Sequence, residues 1–338
     1  MSLDGHLVVR PAPFLNPTVT TPRIMLDVLI ALVPSLAVAV RQFGLSALLV
    51  VAAATAGCIA TEWTLAPGAR GQSLRDLTAL VTGVLLGLTL PPSFPLWMAA
   101  LGGGVAIALG KLAWGGLGHN LFNPSLVGRA FLQAAFPIAI TTWVAPGGPL
   151  ALYRGNFALP LLAAPADALT AATPLGRMKF LGEGTPIEPL LLGDIGGSLG
   201  ETSALAALVG LAWLLLRRAC DWRIPAAIAL SAGLFAEVAH RIAPGRHPGA
   251  LFTLAAGGLL FGAVFMATDP VTSPLAPRGA WIFGVGTGVL VVLIRFWGGL
   301  PEGVMYAILL MNAATPLIDR ALQPRAFGHG RPASGGGR

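Results

Sequence analysis

Thr170 and Thr173 stand in the stretch Asp167-Ala-Leu-Thr-Ala-Ala-Thr-Pro-Leu, which has the form Asp-x-x-Thr-x-Ala-Thr. A hydroxyl between small side chains such as Ala171 and Ala172 is an accessible nucleophile. The same residues also read as a helix start, with Asp167 or Thr170 as N-cap. For the short pattern alone the helix start is the stronger reading. Two further groups interrupt apolar sequence: Asn120, Asn123 and Pro124, then Asp269 and Pro270. Proline breaks the helical hydrogen-bond ladder, and lipid penalises freed backbone groups unless protein or water satisfies them. Such breaks point to a cavity, an ion path or a cofactor pocket; the alternative is a helix end with ordinary turn residues. The sequence favours the cavity around Asn123 and leaves Asp269 balanced between the two.

The elements that must position these residues are membrane-spanning. The chain has 338 residues, of which 55% are hydrophobic and 10% charged, against about 25% charged in soluble domains. A span needs about 20 mostly apolar residues. Segments 24–40, 45–65, 74–90, 96–114 and 121–144 meet this need, as do 203–216, 224–242, 250–267, 280–297 and 304–318, several of them short. The fold expected is therefore an all-α polytopic membrane protein of about ten transmembrane helices. Its parts are an N-terminal segment 1–23, a first membrane unit 24–144, a polar loop 145–202, a second membrane unit 203–318 and a basic, disordered tail 319–338. The first twenty residues lack the apolar core of a signal peptide.

Charged residues inside these spans are expensive, at roughly 2.5–3.5 kcal/mol each near the bilayer centre. Arg129 calls for an acid partner or for a bound anion such as a phosphate, pairing being the commoner outcome. Asp27 lies one turn into the first helix, within reach of the interface. Glu237 is the candidate ion-path carboxylate, with a structural pair as the alternative. Glu201 is read as a first-turn acid of the sixth span, where the helix dipole favours it. His119 is read as a loop residue, and Cys58 as core packing. Cys58 and Cys220 show no metal-site spacing. The net charge of +7 comes from scattered residues rather than an aromatic-lined basic patch, which excludes nucleic-acid binding.

Lys and Arg gather in the loops that become cytoplasmic when the N-terminus is inside, among them Lys111, Arg217, Arg218, Arg223 and Arg278. Both termini are then cytoplasmic and loop 145–202 is periplasmic. The halves also echo each other. Thr82-Gly-Val-Leu-Leu-Gly parallels Gly257-Gly-Leu-Leu-Phe-Gly, and Trp114-Gly-Gly-Leu parallels Trp297-Gly-Gly-Leu. Two five-helix units must face opposite ways, which makes a 5+5 inverted repeat of the kind that places sites near its pseudo-two-fold axis.

Four longer stretches carry a family resemblance. They are Gly115-Gly-Leu-Gly-His-Asn-Leu-Phe-Asn-Pro-Ser-Leu-Val-Gly-Arg-Ala-Phe, Gly193-Asp-Ile-Gly-Gly-Ser-Leu-Gly-Glu-Thr-Ser, Phe265-Met-Ala-Thr-Asp-Pro-Val-Thr-Ser-Pro and Gly298-Gly-Leu-Pro-Glu-Gly-Val-Met-Tyr-Ala-Ile-Leu-Leu-Met-Asn. Around the Asp167–Thr173 motif, in this order, they resemble the D subunit of the Rnf electron-transport complex. The B subunit of the Na+-translocating NADH:quinone reductase is a more distant likeness, with a longer N-terminal extension.

The resemblance implies FMN bound covalently through a phosphoester to Thr173, placed there from FAD by a flavin transferase. Asp167, Thr170 and Ala172 belong to that motif; Ala171 stands where the family often has Gly. Arg129, Asn120 and Asn123 are the further candidate cofactor-binding residues. The analogy with the quinone reductase admits a second, noncovalent flavin such as riboflavin between the helices. The resemblance also implies a bacterial inner-membrane complex with other Rnf subunits, moving electrons between ferredoxin and NAD+ with Na+ or H+ translocation. Neither a dinucleotide-binding Gly-x-Gly-x-x-Gly nor a cysteine cluster occurs here, so those two substrates are expected to bind other subunits. The competing readings are a urea-transporter-like solute channel without redox role and a purely structural scaffold.

Overall fold

A computed structural model describes residues 20–66, 73–160 and 172–322. Asp167 and Thr170, the N-terminal segment to residue 19 and the tail from 323 lie outside the described residues. The regular structure is helical. The first membrane unit holds α1 (Thr21–Leu65), α2 (Thr78–Leu88), α3 (Leu96–Gly110), α4 (Pro124–Ala135) and α5 (Pro137–Thr141). The loop carries the short helices α6 (Pro174–Gly176) and α7 (Ile187–Leu192), with a π-helical turn over Arg177–Leu181. The second unit holds α8 (Ala204–Leu216), α9 (Arg223–Ile242), α10 (Ala250–Ala255), α11 (Leu259–Phe261), α12 (Pro277–Trp297) and α13 (Val304–Ala321). Three described helical stretches, Thr21–Leu65, Leu96–Trp114 and Pro277–Trp297, are long and apolar enough to cross a membrane.

α1 runs for 45 residues, about 68 Å if straight, more than twice the hydrocarbon thickness. It is not straight. Gly44 turns the chain at φ 62°, ψ −142°, where the sequence places the gap between segments 24–40 and 45–65. The turn frees backbone groups, and the loop after α5 takes them up. Gly147 and Gly148 donate to the Gln42 carbonyl at 3.0 and 2.9 Å, and Ser46 donates its amide to Ala151 at 3.3 Å. A side chain at Gly44 would place its Cβ 2.3 Å from the Ala151 nitrogen.

α1 packs along α2 and α3, and α9 along α12. The approach is close where backbones touch, at Gly103 against Ala54 and at Gly288 against Ile228, the packing small residues permit in membranes. Segment 121–144 is broken between α4 and α5 at Phe136–Pro137. Segment 250–267 is broken at Ala256–Gly258, then continues through α11 into a π-helical turn at Gly262–Met266. Cys58 is buried and donates its thiol to the Gly103 carbonyl at 3.3 Å.

The ionisable residues do not all fall where the sequence places them. Lys111, read as a cytoplasmic loop residue, is buried: its ammonium lies 2.6 Å from Glu62, 2.6 Å from the Thr78 hydroxyl and 3.5 Å from Asp76. The expensive charge is neutralised inside the first unit. Glu237, the candidate ion-path carboxylate, is instead in a partly exposed i,i+4 pair with Arg241 near the end of α9. Asp27 pairs with Arg217, just past α8, at 3.0 Å.

Two outcomes test this packing. Gly44→Ala adds a clash to a left-handed residue that alone costs about 1–2 kcal/mol, so thermal denaturation in detergent should show a clearly lowered midpoint; an unchanged midpoint would remove Gly44 as the hinge. Lys111→Met leaves Glu62 buried without its cation, a loss of about 3–5 kcal/mol. The double variant Glu62→Gln/Lys111→Met should recover most of that stability, and simple additivity of the two single losses would argue against the pair.

Candidate functional site

Thr173 caps α6. Its hydroxyl oxygen accepts the Gly176 amide at 3.1 Å, and Pro174 occupies the first helical position, where no N–H is needed. The start of this short helix and the candidate acceptor thus coincide on one residue; the expected caps Asp167 and Thr170 lie outside the described residues. Thr173 and Ala172 border a cavity of about 520 Å³. That volume lies within the ~300–1,000 Å³ typical of small-molecule pockets. Its walls are largely apolar, with Trp143, Phe180, Leu300, Met305 and Tyr306 among them.

The polar groups of this cavity come from both membrane units. Arg129, in α4, donates to the Thr89 carbonyl at 2.7 Å and to Glu201 at 2.9 Å. The pair is nearly buried, at 8% and 11% side-chain exposure. Glu201 is therefore an ion-pair partner and not a first-turn acid of α8; Ser203 caps that helix by accepting the Ala206 amide. Arg295, at the end of α12, mirrors the arrangement: it donates to Glu302 at 2.9 Å and to the Thr253 carbonyl at 2.6 Å. The break between α10 and α11 lies between the two acids. Glu302 accepts the Gly258 amide at 3.2 Å, and Gly257, at φ +68°, leaves room where a Cβ would meet Glu302 and Leu175 at 2.5 and 2.4 Å.

Arg129 Nε is buried and has no hydrogen-bond partner among the described residues; Arg129 lines the cavity together with Ser198, whose hydroxyl faces the Glu201 carboxylate. A buried orphan donor is costly. An anionic or carbonyl-rich group in this space, such as the phosphate and ring of a flavin nucleotide, has the acceptor it lacks. The residues present are compatible with FMN: the cavity has the volume, the apolar lining and, at Arg129 Nε, an unmet donor.

Lys179 and Glu302 are the residues the sequence reading leaves out. Lys179 sits in the π-helical turn and donates to the carbonyls of Arg295, Gly298 and Leu300 at 2.8, 2.6 and 2.8 Å. Burial pulls its ammonium below the usual lysine pKa, while the carbonyls at the negative end of α12 favour the charge. Glu302 lies in the Gly298-Gly-Leu-Pro-Glu-Gly motif, where an acid between glycines marks a loop with a task.

Asn120 and Asn123 are not part of this cavity. Asn123 caps α4 at the end away from Arg129, about 9 Å along the helix. Its side chain accepts the Ser125 amide and donates to the Met266 carbonyl at 3.2 Å, and its own amide donates to Asn312 at 3.3 Å. Both asparagines border a smaller space of about 80 Å³ with Thr78, Lys111 and Asp269. That space adjoins a 630 Å³ cavity at Asn120, Pro270 and Val271. Asp269 makes a turn, accepting the Val271 amide and the Thr272 hydroxyl at 3.2 Å each, and so serves both as turn residue and as cavity wall. The candidate cofactor residues therefore divide between the start of α4 and its middle.

Comparison with known proteins places this arrangement. The NQR2, RnfD, RnfE family profile matches residues 8–328. The D subunit of the ion-translocating oxidoreductase complex of Stutzerimonas stutzeri is 44% identical, covering 90% of this chain and 92% of its own length. The D subunit of the proton-translocating ferredoxin:NAD(+) oxidoreductase complex of Clostridium ljungdahlii is 38% identical, covering 95% and 96%. Its counterpart in the Na(+)-translocating ferredoxin:NAD(+) oxidoreductase complex of Acetobacterium woodii is also 38% identical, covering 96% of each chain. With matches over nearly its whole length, the chain belongs to the NQR2, RnfD, RnfE family.

Proposed function

We propose that this chain is a membrane component of an ion-translocating ferredoxin:NAD+ oxidoreductase of the Rnf type, and that it carries electrons through FMN esterified to Thr173. The observation that carries the reading is the position of Thr173 on a 520 Å³ apolar cavity where Arg129 Nε is a buried donor without a partner among the described residues. The bound flavin supplies one- and two-electron redox chemistry. The protein's part is to hold it, shield it from water and set the charge around it. Arg129–Glu201 and Arg295–Glu302 keep that charge balanced close to the cavity. In maturation, the Thr173 oxygen attacks the FMN-side phosphorus of FAD, AMP leaves, and the hydroxyl proton passes to a base of the flavin transferase. The other Rnf subunits supply the ferredoxin and NAD+ sites, and Na+ or H+ movement is coupled to the electron flow.

The same reading sets the architecture as a 5+5 inverted repeat of ten spans in the bacterial inner membrane, with both termini cytoplasmic and loop 145–202 periplasmic. The paired break-and-cation arrangements support it. Lys111 reaches Thr78 at the start of α2, and Arg295 reaches Thr253 in α10, and Thr78 and Thr253 stand four residues before the matched stretches at Thr82 and Gly257.

Co-expression with a flavin transferase tests the covalent site. A denaturing gel of the purified chain should show a flavin-fluorescent band that Thr173→Ala abolishes. A dark wild-type band under those conditions would favour the solute-channel or scaffold reading. A second, noncovalent flavin such as riboflavin is proposed for the adjoining cavities at the start of α4. Acid extraction of the wild-type protein should release flavin beyond the covalent portion, and Asn120→Leu should reduce the released part while leaving the fluorescent band intact. No releasable flavin in the wild type would dismiss that second site.

A further inference from the structure

We propose that Lys179 is a positioning residue: a latch that fastens the Thr173 segment to the loop between α12 and α13 and so fixes where the attached flavin lies. This rests on the FMN reading above and adds to it the means of placement. An ammonium has three N–H donors, and here each meets a backbone carbonyl, those of Arg295, Gly298 and Leu300. Arg295 and Gly298 close α12, where the last carbonyls have no intrahelical partner. Three acceptors around one ammonium fix its position as well as its charge.

The latch joins two parts that both build the cavity. Lys179 lies six residues after Thr173, in the π-helical turn that continues α6. Leu300 and Glu302, on the other side of the contact, line the cavity, and Glu302 also pairs with Arg295. A π-helical turn is a rare conformation found mostly at functional sites, and this one presents Lys179 to its acceptors. The segment's other fastenings are few. Leu175 is buried beside Leu190 and Ala255, whereas the Arg177–Glu183 pair is local and half exposed, a kind worth little. A flavin joined to Thr173 by single bonds would otherwise turn freely; the latch holds its point of attachment against the cavity wall.

The test uses the assembled complex, co-expressed with a flavin transferase, carrying Lys179→Met or Lys179→Arg. Lys179→Met should keep the flavin band of a denaturing gel, because the acceptor hydroxyl is untouched. In the native complex its flavin should be quenched several-fold more by iodide and show lower fluorescence anisotropy. Chymotrypsin cleavage after Phe180, a ring that is 68% exposed, should become several-fold faster. Lys179→Arg, which keeps the charge and can still donate to carbonyls, should restore most of both protections. Wild-type quenching and cleavage in Lys179→Met would overturn the proposal. If Lys179→Met does not accumulate, Lys179→Gln takes its place with the same expected loss, and full protection there overturns the proposal equally. Cleavage is also compared on a Thr173→Ala background, so a dark wild-type gel band would defeat the FMN reading while the protease still decides the latch.

Discussion

A helix broken inside a membrane leaves amides and carbonyls that only protein, or water in a cavity, can satisfy. The places where this chain satisfies them hold its architecture together. At Gly44 the groups freed from α1 are taken up by residues 147–151. Before α4, Asn123 binds Met266 and Asn312, and Asn312 in turn donates to the Thr272 carbonyl, which Thr315 also reaches. At Gly258 the acceptor is Glu302. All three junctions join distant stretches of the sequence, and one of them, at Asn123, joins the first membrane unit to the second. The break before α4 thus helps bind the units to each other, alongside the packing of α1 on α8 and the Asp27–Arg217 pair, and cavities lie beside it.

This explains why α4 has different chemistry at its start and at its middle. Its N-terminus is held by neutral amide hydrogen bonds around a narrow space. Farther along, Arg129 meets Glu201 in a wider, mostly apolar one. Buried ion pairs contribute little net stability, since desolvation offsets most of their attraction. Their better-attested use is to fix an arrangement, and both Arg129–Glu201 and Arg295–Glu302 fix loop residues against helices at the cavity. Lys111–Glu62, which reaches no part of that cavity, does the same for the packing of α1 against α3.

Much of this is legible in the residues. Apolar runs mark the helical segments, and the gap near residue 44 marks the turn in α1, because glycine and a lapse in apolar content coincide there. The need of Arg129 for a partner follows from the cost of charge in lipid, although the partner itself does not, since Glu201 is distant in sequence and outside any helix. Glu237 misleads for the opposite reason: its span reaches the surface at the Arg241 turn, and periodicity does not show how deep a helix sits. The same blindness to depth puts Lys111 in a loop. Lys179 carries no signal at all, because carbonyl acceptors are invisible in a sequence. The division of Asn120 and Asn123 from Thr173 is likewise a matter of distance along α4, which no motif encodes.

The Arg129–Glu201 pair has a consequence for how the chain is made. Lys111 and Glu62 are both synthesised early, so the first unit can settle that charge by itself. Arg129 cannot be settled so soon. Its partner lies 72 residues later, beyond nearly the whole of loop 145–202. So until the start of α8 has been made, the Arg129 guanidinium in α4 has the Thr89 carbonyl as acceptor but no carboxylate to balance its charge. The first unit is thus left unfinished until the segment bearing Thr173 has been synthesised, and closing the ion pair completes a wall of the cavity that Thr173 borders.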